Sequence, residues 1–333
     1  MRSASSPPAP HRVPRRPLRT PARAPRHRPV DSARPSVPSA TERFRTLDRY
    51  RVEREWKRYE GTPQRDLFRE LRTRFLLRHR PVFGWSVDVG SGPGRFAAAL
   101  GGSPDHRVLL DLSREMLLAA RTRGESRSPV PSLVRGDGGR APFRGRRFSQ
   151  VVALGNPLGF AGEGSERLLE SLRALVAPGG TLLLEIVCGP GERSRYLSRL
   201  PPGAIRRLLA APVNLVRTRA EREGFRREPR PERTVSNFRR HDPIEVLRGL
   251  TVDGFEPVEV LSVAPCLGAD AARIAAVRPD PMAWARLLEL EEQIGRVPAR
   301  RTNAVALLIA AVRTQNGAAP RAGSPAPAIQ AIK

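Results

Sequence analysis

From residue 83 onward, short apolar runs alternate with stretches of amphipathic, helix-like spacing. The runs 83–89, 107–112, 132–135, 149–154, 181–187, 257–264 and 303–312 have strand length and strand composition. Segments 93–100, 113–122, 165–176, 242–250 and 281–294 lie between most of them and read as helices. The helix over 165–176 stops at "APGG", where proline and glycine end helical propagation. Strands alternating with helices predict βαβ units and a mostly parallel sheet, an α/β fold. Such sheets bind ligands at the carboxyl ends of their strands.

Residues 41–82 have a different pattern and predict an N-terminal helical cap of two helices. In the second, Leu67, Phe68, Leu71, Phe75 and Leu76 mark one face, and Thr62 and Pro63 suit its first turn. Residues 189–240 interrupt the alternation with an Arg- and Pro-rich piece containing the helix-like "AIRRLLAAPVNLVRTRAERE". It is too long for a plain connection and is expected to be an insertion over the site, a substrate lid on a domain spanning 83–313. Residues 1–40 carry prolines every few positions, nine arginines and one acid, Asp31, and are expected to be disordered. That tail leaves open an arm for an anionic partner or an over-extended gene start, the second being favoured. The Ala/Pro/Gly-rich residues 314–333 are expected to be loose as well.

Composition changes little in this picture. Lys+Arg outnumber Asp+Glu 59 to 33, a formal net charge of +26, but Lys57 and Lys333 are the only lysines. So marked an arginine bias is a habit of GC-rich coding, which discounts it as a signal for nucleic acid. Cys188 and Cys266 stand far apart with no CxxC or Cys/His cluster, so neither a zinc site nor a disulfide framework is indicated. Two thiols in a reducing cytoplasm are expected. The longest apolar run, 304–312, is too short to span a bilayer, and no membrane role is expected.

The chemistry gathers at "VDVGSGPGRF", residues 87–96. Gly90, Gly92 and Gly94 stand at a strand-to-helix bend, where absent side chains admit positive φ and close approach of a ligand. Arg95 occupies the place of the third glycine of a dinucleotide fingerprint, and no GK[ST] follows, which excludes a P-loop. Asp88, Asp111 and Asp137 end or follow the first three strands and would line one edge of one crevice. Three acids repel pyrophosphate and suit a ligand with ribose hydroxyls, an adenine amine and cationic groups.

The series "VDVGSGPGRF", "LLDLSREML", "VRGDGGRAPF", "FSQVVALGN" and "LVAPGGTLLLEI" resembles the class I, Rossmann-like S-adenosylmethionine-dependent methyltransferases. The resemblance covers 83–187 and, more loosely, 242–313. It implies a seven-stranded, mostly parallel sheet whose last strand is antiparallel, with S-adenosyl-L-methionine as cofactor. It implies that Gly90, Gly92 and Gly94 border the methionine and ribose parts, and that Asp88 holds the amino group. Asp111 would accept from the ribose hydroxyls, Met116 would lie against the adenine, and Asp137 and Gly138 would meet the adenine amine. Gly155 and Asn156 would face the transferred methyl. Plainer alternatives stand beside these: Asp111 and Asp137 as turn caps, Met116 as core, Asn156 as a turn former before Pro157. The chain departs from the family at Ser149, where an aspartate is usual, and in its glycine-rich "GDGGRAPF".

The implied reaction is methyl transfer to a small-molecule acceptor by in-line displacement. Asn156, Glu185 and His241 are candidates for the catalytic side, with Arg195 and Tyr196 nearby in the insertion. "NPLG" at 156–159 lacks the second proline and aromatic of the base-methylating tetrad. An RNA or protein acceptor remains open, as does a protein that binds the cofactor without catalysis, and the sequence leaves the oligomeric state open.

Overall fold

The structure, a computed structural model, describes residues 52–58, 60–124, 131–189, 191–227, 239–268 and 270–315. The expected tails therefore lie outside the described residues, apart from 314 and 315. The cap supplies α1 (Val52–Lys57) and α2 (Pro63–Arg78). Thr62 Oγ1 accepts from Arg65 N at 3.3 Å and Pro63 opens the helix, as the sequence predicts.

The strands are β1 (Trp85–Val89), β2 (Arg107–Asp111), β3 (Ser132–Arg135), β4 (Phe148–Ala153), β5 (Val176–Val187), β8 (Phe255–Ser262) and β9 (Ala306–Arg313). They form one seven-stranded sheet in the order β3-β2-β1-β4-β5-β9-β8. β1 to β5 pair in parallel, while β9 runs antiparallel between β5 and β8. This is the expected topology, last strand included. The chain order reverses between β1 and β4, and ligand crevices open at such a switch point.

All seven apolar runs become strands because both faces of the sheet are covered. Val108 and Leu110 pack on one side, and Leu109 on the other. The first side holds α5 (Ser165–Leu175) and α9 (Pro243–Val252) through Leu168, Leu172, Val246 and Leu250. The second holds α2, α10 (Ala271–Val277) and α11 (Pro281–Gly295) through Phe75, Ile274, Leu287 and Ile294. Glu291, fully buried in α11, accepts from Cys266 N at 2.7 Å and Leu267 N at 3.0 Å, pinning the loop after β8.

Three expectations change. Segment 93–100 is not an α-helix but a bend with a 3₁₀ turn at Ala97–Ala99, because Gly92 and Gly94 take positive φ around Pro93. β5 starts earlier than expected: the helix stops at Leu175 and "APGG" forms the irregular opening of the strand, where its register with β4 shifts. α10 carried no clear sequence signal. α3 (Arg114–Gly124) replaces 113–122 with small boundary differences.

The insertion contains β6 (Glu192–Ser194), α6 (Arg195–Arg199), α7 (Pro202–Leu208), α8 (Val213–Glu223) and β7 (Phe225–Arg227), with β6 and β7 paired antiparallel. The helix-like stretch breaks in two before Val213, where Pro212 cannot continue α7. Tyr196, Ile205, Val216 and Ala220 join the same apolar cluster as α2 and α11, so the insertion is built into that helical layer. Both cysteines are free. Among the described residues, no helix is long and apolar enough to cross a membrane.

Phe75 is fully buried in the layer that joins the cap to the sheet. Phe75→Ala is expected to cost about 3–5 kcal/mol of stability, read as a lower denaturant midpoint at unchanged slope.

Candidate functional site

Strand β1 ends at Asp88-Val89, and the chain then bends over the end of β2. Gly90 N and Ser91 N both donate to the Leu110 carbonyl, at 2.8 and 3.2 Å. Gly92 N donates to Asp111 Oδ2 at 2.7 Å, and Ser113 N to Oδ1 at 2.9 Å. Asp111 is thereby fixed under the loop. Burial raises its pKa, and the N–H donors from Ser113 and Gly92 oppose that rise.

The glycines serve different ends. At Gly94 a β-carbon would stand 2.9 Å from Ala120 Cβ, so its requirement is packing against α3. At Gly92 a β-carbon would be in ordinary contact with Glu55 Cγ of α1, at 3.8 Å.

Asp88 is 2% exposed, and among the described residues no hydrogen bond to its carboxylate is found. Burial first, and the charge of Asp111 second, push its pKa up to about 7. A buried carboxylate without a donor is costly, and a cation or N–H donor entering the crevice would relieve it.

The remaining expected residues divide. Asp137 accepts from Gly139 N at 2.9 Å and Arg167 Nη2 at 3.4 Å, which makes it the cap of the Gly138–Arg140 turn. Gly138 is needed for packing, since its β-carbon would strike Val89 Cγ1 at 2.6 Å. Met116 is buried yet belongs to neither apolar cluster of the core. Asn156 adopts a left-handed φ of 70° and caps α4 (Pro157–Ala161) by accepting from Gly159 N at 3.2 Å. Pro157 abuts Gly90, whose β-carbon would lie 3.1 Å from Pro157 Cβ, so β4's loop adjoins the glycine loop.

Glu185 is 2% exposed and fully engaged. It accepts from Arg72 Nε at 2.8 Å, from Arg72 Nη2, and from Gly155 N at 2.8 Å. Burial alone would raise its pKa, but the Arg72 charge and hydrogen bonds outweigh burial and lower it. Such a carboxylate suits an anchor, tying α2 to the ends of β4 and β5, better than a base. His241 sits at the end of β5 through His241 N to Val187 O, 3.0 Å. Its Nε2 is buried with no hydrogen-bond partner among the described residues. Burial, then the Arg239 charge, lowers its pKa, so the ring is neutral near pH ~7. Tyr196 is buried beneath Arg219, and Arg195 Nε bonds the Phe225 carbonyl at 3.2 Å, which binds both to the insertion.

Sequence reasoning missed Arg72, Glu55 and Trp56. Arg72 falls within the apolar face of α2 at 67–76, and a charge on a buried stripe is the signal that marks it. Trp56 lies under Arg95 and Arg123, whose guanidinium carbons are 4.0 and 4.1 Å from its ring centroid. Among the described residues, no cluster of His, Cys, Asp and Glu could hold a metal ion.

Two outcomes follow from these environments. The folded protein binds the Asp88 proton more tightly than the unfolded chain does, so Asp88's contribution is complete at low pH and lost as pH rises through about 7. The ligand-free melting temperature is therefore expected to fall from about pH 5 to about pH 8, and Asp88→Asn to shrink that fall. Arg72→Met would leave Glu185 buried and unpaired, and is expected to cost about 3–5 kcal/mol in chemical denaturation.

A family model described as a methyltransferase domain matches residues 87–180. Among solved structures, magnesium protoporphyrin IX methyltransferase (ChlM) from Synechocystis PCC 6803 is 12% identical at a TM-score of 0.48, covering 83% of this chain and 100% of that one. The cyclase SpnF is 15% identical at a TM-score of 0.48, covering 83% and 97%. Geranyl diphosphate C-methyltransferase from Streptomyces coelicolor A3(2) is 14% identical at 0.42, covering 74% and 79%. No curated protein sequence matches the chain. The match over 87–180 spans β1, the glycine loop, Asp88, Asp111 and β4, so it is this stretch that is similar to a methyltransferase domain.

Proposed function

We propose that the protein transfers a methyl group from S-adenosylmethionine to a small-molecule acceptor by in-line displacement. The observation that carries this is Asp88, a buried carboxylate with no donor among the described residues, at the start of the glycine loop. An orphaned acid beside a glycine bend fits a cationic, ribose-bearing group. When bound, that cofactor supplies an electrophilic methyl on a sulfonium.

The chain's own residues would act as follows. Asp88 would accept from the amino group, and Asp111, already oriented by Gly92 N and Ser113 N, would accept from ribose hydroxyls. Met116, buried outside the core clusters, would face the adenine, with Asp137 and Gly138 at its far edge. Gly155, held by Glu185, and Asn156, held by its own cap, would form the wall nearest the methyl. His241 Nε2 has no hydrogen-bond partner among the described residues, and it would take a proton where the nucleophile must lose one. The insertion would cover the acceptor. Two unbridged thiols agree with a reducing compartment such as the cytoplasm.

Transfer of a labelled methyl group to separated metabolite, RNA and protein fractions tests the proposal. Label in the metabolite fraction is expected. Label confined to RNA or protein would refute the small-molecule acceptor, and none in any fraction would refute catalysis. Asp111→Ala is expected to weaken cofactor binding by about 1–3 kcal/mol in calorimetry. His241→Gln is expected to lower kcat by about 10²-fold or more for an acceptor that must be deprotonated, with cofactor affinity retained.

A further inference from the structure

The cap helix α1 reaches the crevice at three places. Its Trp56 is fixed by Arg95, which follows the glycine loop, and by Arg123 of α3, with the ring contacts given above. Arg95 also donates to the Trp56 carbonyl and, at 3.0 Å, to Glu60. On the opposite side Arg58 lies over the Phe160 ring of α4, 5.2 Å from its centroid. Between these anchors Glu55 points at the loop, its Cγ 3.8 Å from where a Gly92 β-carbon would be. Burial first raises the Asp111 pKa, and the charge of Glu55 adds to that rise, so the two carboxylates feel each other across the crevice.

We infer that Glu55 is a further carboxylate of the cofactor site, delivered by the cap, and that it holds the cationic donor in preference to the neutral product. The inference rests on the donor assignment made above.

The electrostatics follow from charge counting. S-adenosylmethionine carries a zwitterionic amino acid and a sulfonium, a net charge of about +1 near neutral pH, whereas S-adenosylhomocysteine has lost the sulfonium charge. Any fixed negative charge in a partly desolvated crevice therefore favours the donor over the product. Asp88 and Asp111 hold the body of the ligand, whereas Glu185 is already neutralised by Arg72. Glu55 is offset in part by Arg58, at 3.2 Å, so these two residues act on the preference in opposite senses. Trp56 matters because Glu55 acts only while α1 is docked.

Calorimetric titration of the full chain with S-adenosylmethionine and with S-adenosylhomocysteine tests this without turnover. Glu55→Gln is expected to cut the preference for the donor about five- to tenfold, the size of one partly screened charge interaction. Arg58→Gln is expected to raise the preference, and Trp56→Ala to lower it as Glu55→Gln does. Thermal melts establish that each variant is folded. Equal weakening of both ligands in Glu55→Gln, no change in either, or a shift in the same direction in Arg58→Gln would overturn the inference alone. A wild-type protein that binds neither ligand would overturn the donor assignment together with it.

Discussion

An ionised carboxylate loses its hydration when it is buried, and the protein must replace that hydration or leave the group protonated. Glu185 receives an arginine and a backbone N–H, and stays charged. Glu259, beside His79 at 2.6 Å and two arginines, is buried enough to rise but is pulled down to about 2. Glu291 has two backbone donors but no cation, and burial carries it up to about 7. Asp88 has neither among the described residues, and burial with the Asp111 charge carries it to about 7 as well. The protein meets the same electrostatic problem with cations at two of these places, with backbone donors alone at the third, and with no donor at the fourth.

The fold makes that exception affordable. Asp88 is held by pairing on both sides, to β2 and to β4, at the point where strand order reverses. The bend after it needs positive φ, and glycine supplies it without a side chain to fill the crevice. Asp111 then locks the bend from the neighbouring strand. Arg72 and Glu185 do the complementary work across the sheet, fixing the cap's long helix to the strand ends that flank the site. The elements around the glycine bend are thus tied together by charge and by hydrogen bonds.

Much of this was legible in the sequence. Strands buried on both faces keep their apolar runs unbroken, so all seven could be read in order, and the glycines and acids stood at the ends of three of them. The helix at 93–100 misled because its composition is helical while Gly92, Pro93 and Gly94 set the backbone; local conformation overrode propensity. Roles were harder to read than positions. Asp137, Asn156 and Glu185 sit where the series places them, yet each spends hydrogen bonds on the protein itself, and such commitments depend on partners 2 to 113 residues away. The charge of Arg72 on the apolar stripe marked it as unusual, but its partner Glu185, like those of Trp56, lies in another element.

The placement of β9 between β5 and β8 has a consequence for how the chain comes off the ribosome. β8 pairs with β9 alone, and the apolar flank of β5 beyond β4 is covered by β9 alone. Until residue 306 has emerged, one hydrophobic margin stays unsealed and β8 has no strand to pair with. The nascent protein must therefore spend the synthesis of its last strand with a sticky border exposed, so closure of the sheet is a late, all-at-once event rather than a gradual one.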